Sequence, residues 1–209
     1  MALVKYNNNS ISAVTATAIP SGSLILIKTL TASSSATLSF VHGTDGVVLD
    51  STYPIYKFEF INIHPATDAA EFQFNMSIDS GSNYNVTKTT TWFNALHLED
   101  DSDANLEYNA SFDLAQSTAF QSITRDSGNG NDENSSGELF IYSPSSTTFV
   151  KHFMSTTNDY VHFNDGGSRE VFCAGYGNTT SAVNAIRFQM SGSSNIDSGK
   201  IKLYGIKDS

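Results

Sequence analysis

Hydrophobic and polar residues alternate with a period of two in short runs along most of this chain. The clearest run is Phe72-Gln73-Phe74-Asn75-Met76-Ser77-Ile78-Asp79. Phe72, Phe74, Met76 and Ile78 share one face, and Gln73, Asn75, Ser77 and Asp79 the other. Successive strand side chains point to opposite faces, so this spacing predicts a strand with one dry and one wet face. Tyr56-Lys57-Phe58-Glu59-Phe60 alternates in the same way. Its apolar phase slips by one at Ile61 before Ile63, which predicts a β-bulge, and Pro65 ends the strand. Ala36, Leu38 and Phe40 alternate with polar residues, as do Leu106, Tyr108, Ala110 and Phe112. Leu24-Ile25-Leu26-Ile27 is continuously apolar, as expected of a strand buried on both faces or lying under an arm. Further strands are expected at 139–142, 147–153, 170–176, 185–190 and 200–206. The stretch 112–120 is the best candidate for a short helix.

Turn-forming residues separate these runs. Asp79-Ser80-Gly81-Ser82-Asn83, Ser143-Pro144-Ser145 and Asp165-Gly166-Gly167 read as turns, and 125–137 as a long Gly/Asn/Asp loop. Eight or more short strands with polar turns predict an all-β fold, an antiparallel β-sandwich whose strand number suits a jelly roll. No internal repeat stands out, which argues against a propeller or solenoid. Residues 1–20 differ from the rest. Isolated Leu3, Val4, Tyr6, Ile11 and Val14 sit among small polar residues, and Pro20-Ser21-Gly22 closes the segment. It cannot form a core alone, so it is expected to be an extended N-terminal docking arm ahead of a single sandwich domain at 21–209.

Composition refines this picture. At 209 residues the chain suits one domain, and 14 Phe and 9 Tyr supply a real core. Only 15% of residues are charged, so hydroxyls and amides must solvate the surface. The net charge of −10, with scattered basic residues, argues against nucleic-acid binding. Cys173 is the only cysteine, so no internal disulfide forms, and its Val171-Phe172-Cys173-Ala174 setting predicts a core thiol. No apolar run approaches the ~20 residues that span a bilayer, so membrane insertion is not expected. The first residues lack a signal-peptide core, so synthesis in a cytoplasm is expected, with any later location reached by assembly.

Candidate chemistry is sparse. His42, His64, His97, His152 and His162 are widely separated and form no ligand-spaced pair. There is no Gly-x-Ser-x-Gly elbow, phosphate loop or dinucleotide fingerprint. Neither an enzyme nor a cofactor is therefore expected. Two acidic segments offer oxygens to calcium: Asp100, Asp101 and Asp103 beside Glu99, and Asp126, Asp132 and Glu133 beside Asn129 and Asn131. Neither has EF-hand spacing, so no metal site is assigned. Tyr84, Trp92, Tyr160 and Tyr176, beside polar turns, are candidate contacts for a glycan or a partner, although strand aromatics more often fill cores. Trp92 and Phe93 are adjacent, so one of them must point away from the core.

Three stretches carry a resemblance. They are Met1-Ala2-Leu3-Val4-Lys5-Tyr6-Asn7-Asn8-Asn9-Ser10-Ile11; then Tyr56 to Pro65 with Asp79 to Tyr84; and Ile196-Asp197-Ser198-Gly199-Lys200-Ile201-Lys202-Leu203-Tyr204-Gly205-Ile206. Together they resemble virion-associated structural proteins of marine tailed phages such as cyanophages. The resemblance implies a β-sandwich on the virion surface, with other capsid or tail proteins as partners, and it carries over no active-site residue. Capsid decoration is the expected role, because a long fibre shaft would need repeats or heptads. The alternatives are a tail-fibre or receptor-binding module, and a carbohydrate-binding module that contacts a host surface glycan. Virion parts of this kind usually hide strand edges in symmetric homo-oligomers, so a trimer is a natural expectation.

Overall fold

The computed structural model describes residues 23–163 and 166–208. These residues form twelve strands: β1 (Leu24–Thr31), β2 (Leu38–Val41), β3 (Ile55–Pro65), β4 (Phe72–Ser77), β5 (Lys88–Leu98), β6 (Ala104–Tyr108), β7 (Gln121–Ser122), β8 (Ser135–Tyr142), β9 (Lys151–Tyr160), β10 (Gly167–Gly177), β11 (Ala185–Met190) and β12 (Ile196–Ile206). All strand pairs are antiparallel. An eight-stranded sheet runs β1-β12-β3-β8-β9-β10-β5-β6, and a four-stranded sheet runs β2-β11-β4-β7. The two pack face to face as the expected β-sandwich.

The pairing is nested. β1 pairs with β12, β2 with β11, β3 with β8 and β4 with β7. The first four strands thus run along the last members of the series in reverse order, like one long hairpin folded over on itself. Two excursions interrupt this series. β5–β6 falls between β4 and β7, and β9–β10 falls between β8 and β11. Both excursions add strands to the large sheet.

The core lies between the two sheets and reaches across to β9, β10 and β5, where Phe153, Val171 and Trp92 belong to it. Phe188 on β11 is its hub, with ring centroids 5.2 Å from Phe58, 5.3 Å from Phe60 and 5.6 Å from Phe72. Phe40, Phe74, Ile63, Leu139, Ile201 and Leu203 complete it, all fully buried. The buried Cys173 joins the same core, and burial raises its thiol pKa. The slip at Ile61 is a bulge, since the β3–β8 register shifts between Phe60 and Ile63. Asn62 there has a φ of 51°.

The inner face of β9, β10 and β5 mixes core residues such as Phe153, Val171 and Trp92 with buried polar ones such as Thr90, Asn94 and Thr157, and the segment 109–128, which includes β7, packs across part of it. The Thr90 hydroxyl donates to Gln121 Oε1 at 2.7 Å, Trp92 Nε1 donates to Ser122 O at 3.1 Å, and the Thr157 hydroxyl donates to Ile123 O. This segment contains the stretch 112–120, and no helix forms there. Its backbone is engaged with β5 instead: Lys88 N donates to Ser117 O, Ser117 N to Lys88 O, and Thr90 N to Leu114 O. Gln116 also takes a φ of 49°, which a helix does not allow.

Other expectations are corrected. The strand placed at 147–153 begins only at Lys151 and runs on to Tyr160. The apolar run at 24–27 is an edge strand, not one buried on both faces, and Leu24 and Leu26 are 47% and 54% exposed. The polar face of β4 is not wet: Asn75 and Ser77 are fully buried. Asn75 Nδ2 donates to Tyr84 O at 2.7 Å and to Thr118 O at 3.0 Å, in segments that fold back across that face. Residues 1–20, with Leu3, Val4, Tyr6, Ile11 and Val14, lie outside the described residues.

Candidate functional site

The outer face of the large sheet presents the most developed surface. Strand pairing aligns one outward row across seven strands: Leu26, Tyr204, Lys57, Phe140, Met154, Ala174 and Thr91. A neighbouring row carries Thr156, Phe172, Phe93 and Tyr108. The two halves of this face differ in character. Over β12, β3 and β8 it is charged: Lys57 Nζ lies 2.7 Å from Glu138, and Glu59 accepts from Tyr204 at 3.1 Å and lies 3.8 Å from Lys202. Such partly solvated surface pairs contribute little stability, about 0–1 kcal/mol each.

Over β9, β10 and β5 the face turns apolar and aromatic. Phe93 and Phe172 stack with centroids 4.9 Å apart and planes at 13°. Phe93 is 39% exposed and Met154 55%. Beside them a groove of about 480 Å³ opens, with Ala174 and Gly175 on its floor and Tyr142, His152, Met154 and Tyr176 around it. The His152 and Tyr176 rings sit 6.0 Å apart at 59°. Among the described residues, the Tyr142 hydroxyl reaches only Met154 Sδ, at 3.8 Å. The Tyr176 hydroxyl and the His152 nitrogens make no hydrogen bond among the described residues. Polar tips with spare capacity therefore ring an apolar floor.

The residues proposed from sequence are scattered. Trp92 is fully buried, stacked on Phe112 at 4.8 Å, so it is a core residue and not a contact for ligands. Its neighbour Phe93 is the one that points outward. Tyr84 is half-buried, with the Arg187 guanidinium 3.9 Å from its ring centre. Tyr160 lies beside acidic neighbours, and its pKa is raised by burial and by Glu99, Glu133 and Asp132. Only Tyr176 reaches the groove. Tyr142, Met154 and Phe172 were not singled out from sequence, His152 was named only as one of five unpaired histidines, and Phe93 only as one of two candidates for the outward position. Their signal was there, as large apolar or aromatic residues in the outward phase of strands that otherwise carry Thr, Ser and Asn.

The acidic candidates do not converge. Asp100 accepts from Ser102 N at 2.9 Å, Asp103 from Asn105 at 3.0 Å, and Asp101 lies 3.0 Å from His97, each within its own turn. Asp126 faces cations, with Arg125 Nε at 3.0 Å and Arg169 at 3.6 Å. Glu133 Oε2 accepts from Gly130 N at 2.6 Å, while Asp132 is exposed. Among the described residues, no group of three or more His, Cys, Asp or Glu is arranged to hold a metal.

Two buried groups stand out electrostatically. Asp159 and Arg169, paired across β9 and β10, approach at 3.9 Å with both side chains buried. Both Asp159 oxygens lack a hydrogen-bond partner among the described residues, and burial pushes this acid's pKa upward against the pull of Arg169. Lys88 is buried with two neutral acceptors, Asn75 Oδ1 at 2.6 Å and Val86 O at 2.8 Å, and burial lowers its pKa to about 7. Both lie inside the fold, away from the groove.

No protein-family model, curated protein or solved structure matches this chain.

Proposed function

We propose that this chain is a non-enzymatic structural accessory protein of a tailed-phage virion, displaying its sandwich on the particle surface, with capsid decoration as the favoured role. We infer further that its nucleus is a jelly roll. The nested pairing of β1 with β12, β2 with β11, β3 with β8 and β4 with β7 is the observation that carries this reading. Two four-stranded layers wound from one folded-over hairpin are the jelly-roll arrangement, which capsid and lectin domains share. The resemblance at the two ends and the centre of the chain points the same way.

The surface supports an assembling role. Among the described residues, β1 and β6 are the edge strands of the large sheet. β6 is exposed along its whole length, with Leu106 at 74%, and neither edge carries a proline. Unprotected edges with outward leucines suit pairing in an assembly, and a symmetric homo-oligomer such as a trimer would cover them. Residues 1–20 serve in this reading as the anchor to capsid or tail proteins. Deleting residues 1–20 should abolish incorporation into particles while leaving the circular dichroism of the sandwich unchanged. Purified particles analysed by mass spectrometry provide the measurement, and normal incorporation of the truncated chain overturns the anchoring role.

A further inference from the structure

We propose that the groove between Tyr142, His152 and Tyr176 is a binding site for neutral oligosaccharides. Three observations meet there. First, the floor is apolar: Ala174 and Gly175 form it, Met154 borders it, and the stacked Phe93 and Phe172 continue the platform on the same face. A pyranose ring has an apolar C–H face that packs on such a surface. Second, the Tyr142 and Tyr176 hydroxyls and the His152 ring ring that floor without strong partners of their own. These groups both donate and accept, which matches the alternating hydroxyls of a sugar. A groove of about 480 Å³ holds a few sugar units.

Third, the charge pattern selects a neutral ligand. The chain carries a net charge of −10, yet no carboxylate, lysine or arginine lines this groove among the described residues. The adjoining depression on the same face is the opposite, lined by Glu59, Glu138, Glu170 and Lys202. A cation or a charged peptide would find its complement there and not in the aromatic groove. The floor is firm, because its strands are paired on both sides: β10 lies between β9 and β5. The site uses none of residues 1–20, so it stands or falls separately from the anchoring role.

The test is a printed array of gluco-, manno- and galacto-configured neutral oligosaccharides beside sialylated and sulfated ones. Calorimetry then follows with the neutral oligosaccharide retained most strongly. Retention of neutral glycans is expected. Tyr142→Phe and Tyr176→Phe, which remove a hydroxyl and keep the ring, should each weaken binding about 3- to 10-fold, the value of one hydrogen bond. Tyr204→Phe, in the charged half of the face, should bind as the parent does. Retention of no neutral glycan, retention of charged glycans only, or unchanged affinity in both groove variants overturns the proposal. So does sedimentation showing that two copies pair through this face, with the pair dissociated by Met154→Glu.

Discussion

Lys88 and Asp159 place opposite demands on the same fold. Two hydrogens of a neutral amine satisfy Asn75 Oδ1 and Val86 O, whereas an ammonium carries a third N–H with no acceptor among the described residues. Burial accordingly holds the Lys88 pKa at about 7, against about 10.4 for a solvated lysine. The folded state therefore binds fewer protons than the unfolded chain between these values, and stability rises with pH across that window. Below pH 7 the full cost of the buried charge is present. Asp159 acts in the other sense. Its folded pKa is raised, so the folded state keeps a proton that the unfolded chain loses above about pH 4. Its contribution is full at low pH and is lost as pH rises toward the folded pKa. Lys88→Met should remove the rise in stability above pH 7, and Asp159→Asn the decline as pH rises from about 4 toward the raised folded pKa. Each pKa unit amounts to about 1.4 kcal/mol, so the Lys88 limb is on the order of a few kcal/mol. Urea denaturation of parent and variants from pH 5 to pH 10 measures both; a parent-minus-Lys88→Met difference that stays flat above pH 7 overturns the assignment.

The bulge where β3 meets β12 shows what an element needs beyond its pattern. Gly199 has a φ of 117°, and a Cβ built there would sit 2.5 Å from Asn62 O. Gly199→Ala should therefore meet both backbone strain and a clash with main chain, at a cost of about 1–3 kcal/mol. Gly46, with a φ of 80° and nothing within 4 Å of its would-be Cβ, should meet strain alone, so Gly46→Ala should lose less. Chemical denaturation of the two variants gives the comparison, and an equal or smaller loss at Gly199 contradicts it. The β3 side of this bulge was legible in the sequence, because a phase slip at Ile61 has no other local cause. Strand alternation was legible for the same reason: it is written in neighbouring residues. What covers each face was not. Asn75 and Ser77 read as solvated, yet segments distant in sequence bury them. The stretch 112–120 read as helical, yet its partner is β5, some twenty-five residues upstream. Period two also required one of Trp92 and Phe93 to face outward without saying which. The groove suffered most, because its residues come from β5, β8, β9 and β10 and meet only through strand pairing.

At the scale of the whole molecule, the nested pairing sets the order in which the fold can be completed. β12 lies between β1 and β3, so the last strand of the chain closes the sheet against the first. It also delivers Ile196, Ile201 and Leu203 to the core, each fully buried. Without it, β1 loses its one partner strand among the described residues and β3 loses one of two. Pairings of this kind close very long loops, whose entropy must be met before the contacts reward it. All-β topologies of this sort fold in roughly milliseconds to seconds or more slowly. A chain ending before residue 196 should thus fail to reach the native state: it should lose its near-ultraviolet circular dichroism and become readily cleaved by protease. Adding residues 196–209 as a separate peptide should restore part of both signals, since β12 would again bridge β1 and β3 by main-chain hydrogen bonds. By contrast, removing the β6 edge strand, which pairs with β5 alone and contributes no buried apolar side chain, should leave the core folded. If the truncated chain lacking β12 keeps a cooperative unfolding transition, closure by the last strand is not what holds the sandwich together.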